Sequence, residues 1–223
     1  MSDLSKLGTK ILWVDTETTG TSPQSTILQL AAVANVGDQA PFYLPLIQPE
    51  DPAALDTEEA AGAMAVHGLT KERVLGYGIP AAEAWRQFKA WLEVRVNPFV
   101  KADKFLIAGY NVGFDQDQLR RWWRDPYFGS FFWNYRLDVL QRVVEHITEH
   151  NLRAAGVGGS QTYRHAIPGG PNLPGSLKLG EVAAWMGVTA PGDLHDARAD
   201  ILLTRNIYLE LRRRDSLDRR GTA

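Results

Sequence analysis

Residues 11–20, with the sequence ILWVDTETTG, constrain the fold of this chain more than any other segment. Four consecutive apolar residues, 11–14, predict a strand that is buried on both faces. Side chains two apart on a strand point the same way, so Asp15 and Glu17 place two carboxylates together at its carboxyl end. In an open α/β sheet, ligands bind at that end. Paired carboxylates repel each other unless a cation lies between them, and oxygen ligands favour Mg²⁺ or Mn²⁺.

Composition narrows the class of protein. The 223 residues are 44% hydrophobic, so we expect a single domain, 1–223, with a substantial core. The absence of cysteine excludes disulfides and cysteine-bound metals. A net charge of −2 does not indicate a basic surface that coats duplex nucleic acid. No membrane span or secretory signal is recognisable, so we expect a soluble, cytoplasmic protein.

Apolar runs separated by turn residues predict a mixed sheet. Runs beginning at Ile27 and Phe42 follow the first strand after short links, which predicts an antiparallel meander of three strands. Two later runs, 105–108 and 133–137, predict a fourth and a fifth strand. An amphipathic helix is predicted to begin with Pro80 at its first position.

Three further segments carry weaker signals. Residues 151–176 are rich in glycine and proline, which predicts a mobile loop. The basic C-terminal tail that follows the last helix could contact nucleic acid, although solvated arginines are the common alternative. The pair Trp122 and Trp123 could stack on single-stranded bases, but the spacing of Trp122 from Leu119 favours a core position.

Two more acids lie on predicted helices. Asp115 begins the helix after the fourth strand, in line with its apolar stripe, where the helix dipole favours an acid. The last helix places Asp200 on its apolar face, at helical spacing with Leu203, Ile207 and Leu211. A carboxylate on a buried face needs a partner or a metal. His195 precedes this helix, and Asp196 can cap it.

Three ordered motifs together resemble a known family. DTETTG at 15–20, Asn-x-x-Phe-Asp at 111–115 and His-Asp-Ala-x-x-Asp at 195–200 are similar, in that order, to the motifs of DnaQ-like 3′ to 5′ exonucleases of the DEDDh type. VHGLT at 66–70 resembles the segment between the first two motifs of these proteins. The resemblance extends over about residues 10–210, and the ordered set is far more specific than any one motif.

The resemblance implies a fold, cofactors and residue roles. The fold is α/β and ribonuclease-H-like: a mixed five-stranded sheet, with its first three strands antiparallel, flanked by helices. The cofactors are two divalent cations, Mg²⁺ or Mn²⁺, and the general base is His195. The metal ligands and catalytic acids implied are Asp15, Glu17, Asp115 and Asp200. The positions implied to contact the terminal nucleotide are Thr18, Thr19, His67 and Asn111.

Elementary chemistry supports the same function. Four carboxylates can balance two dications, which stabilise the attacking and leaving oxygens of a phosphodiester displacement. An imidazole can accept the proton of the attacking water near neutral pH. We therefore predict a 3′ to 5′ exonuclease that removes nucleoside monophosphates from DNA, at single-stranded or frayed ends. Trimming of RNA is the alternative, because no residue we can identify decides whether a 2′-hydroxyl is admitted. A DNA polymerase is a candidate partner, and the sequence indicates no oligomeric state.

Two other interpretations compete with the nuclease. An HD-domain phosphohydrolase would use a different metal set, made of His67, His195, Asp196 and Asp200. That fold is all-helical, and it would leave the acids of the first strand without a role. The same fold could also serve as a non-catalytic module that binds nucleic acid or protein. Four retained acids disfavour this, because a buried carboxylate cluster without its metal is destabilising.

Overall fold

The computed structural model describes residues 7–38, 40–123, 128–154 and 173–220. In chain order its strands are β1 (Ile11–Thr18), β2 (Ile27–Ala34), β3 (Phe42–Leu44), β4 (Ile47–Gln48), β5 (Ile79–Pro80), β6 (Phe105–Gly109) and β7 (Phe132–Asp138). Its α-helices are α1 (Glu58–Val66), α2 (Lys71–Tyr77), α3 (Ala81–Glu93), α4 (Gly113–Trp123), α5 (Phe128–Phe131), α6 (Val139–Ala154), α7 (Leu179–Met186) and α8 (Ala197–Arg220), and a 3₁₀ helix spans Pro52–Leu55.

Five strands form one mixed sheet in the order β3-β2-β1-β6-β7. The pairs β1–β2 and β2–β3 are antiparallel, whereas β1–β6 and β6–β7 are parallel. This confirms the predicted fold class, including the antiparallel meander of the first three strands, and it excludes an all-helical HD-domain fold. A second, two-stranded sheet, the parallel pair β4–β5, was not predicted.

The central strand β1 is longer than its apolar run. It continues through the acids to Thr18, because β2 pairs with it over nearly its whole length, from Leu12 opposite Ala34 to Thr18 opposite Ile27. All eight residues of β2 are buried, whereas β6 pairs with β1 only from Ile11 to Trp13, so the acidic half of β1 is paired on one side only. The register shifts between Glu17 and Thr18, a bulge of the kind that redirects side chains beside functional sites.

Alternation along β1 divides the core between the two faces of the sheet. Leu12 and Val14 pack on one face with residues of α3 and α4, including Phe88. Trp13 packs on the other face with residues of α6, α7 and α8, including Ile207. Because side chains alternate along a strand, Asp15 and Glu17 continue the α8 face.

Three helix boundaries differ from the sequence expectation. Pro80 caps α3 and is not its first residue, so the helix begins one position later than predicted. Helix α6 extends to Ala154, because neither glycine nor proline occurs before Gly156, so residues 151–154 of the predicted loop are helical. The remaining positions up to 172 lie outside the described part. Helix α8 continues to Arg220, which makes most of the predicted basic tail helical.

The arginines of α8 are not all available to a ligand. Both Arg213 and Arg214 form ion pairs with Glu210, and Arg214 also donates to the carbonyl of Met186. None of the described helices has the length and apolar content that a membrane crossing requires.

Candidate active site

Three of the four predicted metal ligands converge at the acidic half of β1. Asp15 and Glu17 come from the strand, and Asp200 comes from the first turn of α8, which packs on the same face. One carboxylate oxygen from each of the three lies within 4.8 Å of the others. These three residues, hereafter the acid cluster, therefore have the ligand type and spacing to hold a cation.

Asp200 shows most directly that a cation fits the acid cluster. Its Oδ2 accepts a hydrogen bond of 3.0 Å from the backbone N–H of His195. Its Oδ1 is buried and has no hydrogen-bond partner among the described residues. Burial raises the pKa of Asp200 to about 6, against the lowering effect of the His195 hydrogen bond. A buried carboxylate oxygen without a partner is costly, and a bound cation would remove that cost.

Asp115 approaches the cluster from α4 but is held by β1 itself. Its Oδ1 accepts hydrogen bonds from the backbone N–H of Thr16, at 2.9 Å, and from the Thr16 hydroxyl, at 2.7 Å. Burial raises the pKa of Asp115 to about 7, while both Thr16 bonds oppose the rise. Asp115 is not one of the three acids within 4.8 Å, so its direct ligation of a metal stays a prediction.

The carboxylates are close enough to affect one another. Burial raises the pKa of Asp15 well above its ordinary value, and the charges of Asp115, Glu17 and Asp200 raise it further. Like charges in a desolvated site disfavour ionisation unless a positive charge is present. The negative charge that these carboxylates concentrate therefore favours the binding of a cation at this site.

His195 stands at the entrance to α8, beside the cluster. It is exposed, and its backbone has a left-handed φ of 67°, a conformation that is strained for most residues other than glycine. This turn directs its N–H at Asp200, while its ring centroid lies 6.5 Å from that of His67. Asp196 caps α8 as predicted, because its Oδ1 accepts from the N–H groups of Arg198 and Ala199.

His67 reaches the cluster from the end of α1. This histidine is the C-cap residue of α1, and its Nδ1 lies 2.6 Å from Oε2 of Glu17. The two side chains are therefore in contact, although the contact does not have hydrogen-bond geometry and Nδ1 has no hydrogen-bond partner among the described residues. The two predicted histidines and the acids therefore share one site.

Thr18 and Thr19 follow the bulge, and both side chains already have structural partners. The hydroxyl of Thr18 donates to the carbonyl of Gly20 at 2.6 Å. The hydroxyl of Thr19 accepts from the N–H of Thr26 at 3.0 Å, which closes the turn between β1 and β2. Their hydroxyls thus shape this turn, and contact with a nucleotide stays a prediction for both.

Asn111 lies beyond the end of β6, in the left-handed region with a φ of 55°. Its backbone N–H donates to Oδ1 of Asp138 at 3.0 Å. The same oxygen accepts from the N–H of Leu140, so Asp138 joins the ends of β6 and β7 and fixes the backbone of Asn111. The side chain of Asn111 is exposed, as a role in ligand binding would require.

Three supporting residues were not identified from the sequence. Thr16 holds Asp115, and the hydroxyl of Tyr43 donates to Oδ2 of Asp196 at 2.5 Å. Glu59, in the first turn of α1, accepts hydrogen bonds from two backbone N–H groups of the segment after Gly20. All three contacts join residues distant in sequence, so no local pattern predicts them.

Comparison with known proteins identifies the fold. No model of a known protein family matches the chain, and no curated protein matches its sequence. Among solved structures, E. coli exonuclease I in complex with a dT13 oligonucleotide is 22% identical, with a TM-score of 0.57 over 91% of this chain and 40% of that one. The complex of E. coli exonuclease I with a 5cy-dT13 oligonucleotide is 21% identical, with a TM-score of 0.61 over 94% and 42% of the two chains.

A product-bound structure of exonuclease I gives a similar result, with 21% identity and a TM-score of 0.59 over 92% of this chain and 44% of that one. The chain therefore spans less than half the length of the exonuclease I chains that it matches. The resemblance indicated by the three sequence motifs is confirmed at the level of the fold: this chain has the ribonuclease-H-like fold of exonuclease I.

Proposed function

We propose that this chain is a metal-dependent 3′ to 5′ exonuclease that releases nucleoside monophosphates from single-stranded DNA. The observation that carries the proposal is the acid cluster, in which three carboxylate oxygens lie within 4.8 Å and the buried Oδ1 of Asp200 has no partner among the described residues. The cluster lies on a fold shared with exonuclease I, whose structures include complexes with dT13 and dA16 oligonucleotides.

The acids would hold the cofactor, and their neighbours would orient them. Asp15, Glu17 and Asp200 would supply ligand oxygens, with Asp115 completing a set for two Mg²⁺ or Mn²⁺ ions. When bound, these ions would neutralise the developing charge of the displacement and favour ionisation of the attacking water. The N–H of His195 fixes Oδ2 of Asp200, whereas Oδ1 has no hydrogen-bond partner among the described residues and is left for a cation.

His195 would act as the general base. Its backbone is fixed by the Asp200 hydrogen bond and by the capped start of α8, while its exposed ring is free to meet a substrate. An imidazole so placed accepts a proton from water as that water attacks phosphorus. His67 contacts Glu17 directly, so it would keep that carboxylate oriented and would line the site beside the terminal nucleotide.

The direct test is digestion of a single-stranded DNA oligonucleotide labelled at its 5′ end. With Mg²⁺ we expect a ladder of products, each one nucleotide shorter, that stops at a blocked 3′ terminus. Excess chelator should abolish the ladder, and Mg²⁺ or Mn²⁺ should restore it. Release of the 5′ label as the first product, or undiminished cleavage in chelator, would contradict the proposal.

An RNA oligonucleotide of the same sequence separates the two candidate substrates. If DNA is the preferred substrate, its kcat/KM should exceed that of RNA by at least about tenfold, because a site that excludes the 2′-hydroxyl distinguishes the two at the terminal nucleotide. A preference for RNA would replace the DNA assignment but retain the chemistry.

A further inference from the structure

A cleft of about 290 Å³ opens beside the turn between β1 and β2. This size is near the lower end of the range for small-molecule sites, roughly 300 Å³ and upward. Its walls come from the turn, from residues 49–54 and from the second half of α4. Apolar surface from residues such as Ile27 and Ala81 alternates with polar groups, so the cleft suits a ligand that is partly apolar and partly polar.

The cleft adjoins the acid cluster through two elements. Thr26 lines the cleft, and it exchanges hydrogen bonds with Thr19: each N–H donates to an oxygen of the other residue at 3.0 Å. Helix α4 carries Asp115 in its first turn, and Gln118 and Trp122 follow at helical spacing on the same side. A ligand in this cleft would therefore contact the same turn and the same helix that shape the candidate active site.

The side chains of α4 supply three kinds of contact. Trp122 is partly buried and presents an aromatic surface to the cleft. Gln118 is only 2% exposed, and its Nε2 has no hydrogen-bond partner among the described residues. Arg121 is exposed and forms no ion pair within the described part of the chain, whereas the adjacent Arg120 pairs with Asp117. Rings stack on bases, amides bind base edges, and arginines bind phosphates.

Negative charge on the wall opposite α4 would orient a ligand in the cleft. Glu50 and Asp51 line the cleft there, and two carboxylates disfavour a phosphate on that side. Asp51, whose Oδ1 already accepts from the N–H of Ala53, can also accept a hydrogen bond from the amino group of a base. The arrangement therefore suits a planar base between the acids and Trp122, with its phosphate toward Arg121.

We propose that this cleft is a nucleotide subsite, which binds one base and phosphate of the single strand on the 5′ side of the nucleotide being removed. The proposal rests on the proposed function for its substrate, but its test does not require catalysis. The subsite would bind the strand to the enzyme while the 3′ end is cleaved, so its loss would weaken binding of longer strands and leave the chemical step intact.

The test compares Arg121→Glu with Arg120→Glu, which carries the same charge change at an exposed residue of the same helix. Anisotropy of a labelled oligo-dT of about 12 nucleotides, measured in chelator, should show binding weakened by about tenfold or more for Arg121→Glu and clearly less for Arg120→Glu. If both variants lost the same affinity, Arg121 would contribute only through its charge, and the subsite would be overturned. Unchanged affinity in both variants would also overturn it.

Substitutions of Trp122 provide an independent test of the subsite. Trp122→Phe retains an aromatic ring and should bind oligo-dT almost as well as the wild type, whereas Trp122→Leu should lose about fivefold or more. Equal affinity of the two variants, with unfolding temperatures matched, would overturn the stacking role; if Trp122→Leu does not fold, the arginine pair decides.

Activity assays then separate the two proposals. With Mg²⁺, the Arg121→Glu variant should show a higher KM for the long strand than the wild type, with the same kcat and the same KM for a dinucleotide. A wild type that binds oligo-dT through Arg121 but does not cleave it would contradict the proposed function and support the subsite. If the wild type cleaves oligo-dT but Arg121→Glu binds it no more weakly than Arg120→Glu, the proposed function is supported and the subsite is contradicted.

Discussion

The two halves of strand β1 lie in the same sheet but have opposite effects on the stability of the fold. In the first half, Leu12, Trp13 and Val14 are buried and pack into the cores on both faces. In the second half, Asp15 and Glu17 continue the same strand, but their carboxylates repel each other and lose hydration. Burial of the apolar half stabilises the fold, whereas burial of the acidic half costs stability that a bound cation would restore.

The largest effect expected from this contrast is that of Asp15→Asn. Activity should fall by about a thousandfold or more, because loss of a proposed metal ligand would remove several kcal/mol of transition-state stabilisation. The metal-free protein should not be destabilised at pH 8, because one of the repelling charges is gone. Activity and thermal unfolding in chelator are the measurements.

Leu12→Ala is the matched change in the apolar half of the strand. It should lower the free energy of unfolding by roughly 2–5 kcal/mol, because Leu12 is fully buried, and leave the kcat of the folded fraction unchanged. If Leu12→Ala reduced catalysis selectively, or if Asp15→Asn left activity intact, the division of β1 into a structural and a functional half would be wrong.

His195→Ala is expected to have the next largest effect. We expect turnover to fall by about a hundredfold or more, because the proposed general base is lost, while the affinity for Mn²⁺ changes little. The backbone N–H that binds Asp200 remains in this variant, so the acid cluster should persist. An unchanged rate would remove the assignment of the base, and a parallel loss of Mn²⁺ binding would make His195 structural.

The pH dependence of stability sharpens the comparison in the absence of metal. Folding raises the pKa of Asp115 to about 7 and that of Asp200 to about 6, from an ordinary value of 3.8. Between about pH 4 and pH 7 the folded chain therefore binds more protons than the unfolded chain, and the free energy of unfolding falls as the pH rises through this window.

In chelator, thermal unfolding should thus occur at a higher temperature at pH 5 than at pH 8, and Mn²⁺ should raise the value at pH 8 by linkage. The control is the double variant Asp115→Asn with Asp200→Asn, in which this slope should flatten. If the stability of the wild type and that of the double variant depended on pH in the same way over this window, burial of the two acids would not be destabilising.

Glu59 offers the smallest expected effect. One of its carboxylate oxygens accepts from the N–H of Thr21 at 2.7 Å and from that of Ser22 at 3.0 Å, and a Cβ at Gly20 would collide with this carboxyl group. Glu59 thus fixes the segment that follows the acidic half of β1. We expect Glu59→Ala to raise KM by about two- to tenfold with kcat little changed, because the turn is less well positioned.

Glu58, its exposed neighbour in the same helical turn, provides the control. Glu58→Ala should not change KM, and Glu59→Gln should restore part of the loss because its amide oxygen can still accept. Identical behaviour of the two alanine variants would show that the contact with the turn has no role in substrate binding.

The sequence predicted the sheet and the positions of the acids well, because both have local signatures. Asp200 lies on the buried face of α8, as its spacing with Leu203, Ile207 and Leu211 required. The acids were expected at the carboxyl end of β1, after its apolar run ends at Val14, but only the pairing with β2 shows that the strand continues to Thr18. Hydrogen bonds such as those of Asp115 with Thr16 join residues almost 100 positions apart, and spacing carries no signal for them.

Calorimetric titration of the metal-free protein with Mn²⁺ at pH 8 tests most directly whether the acidic half of β1 is a metal site. The account predicts saturable binding of two ions per chain, and loss of most of that binding in the Asp15→Asn, Asp200→Asn double variant. Absence of saturable binding, or identical binding by the wild type and the double variant, would contradict it.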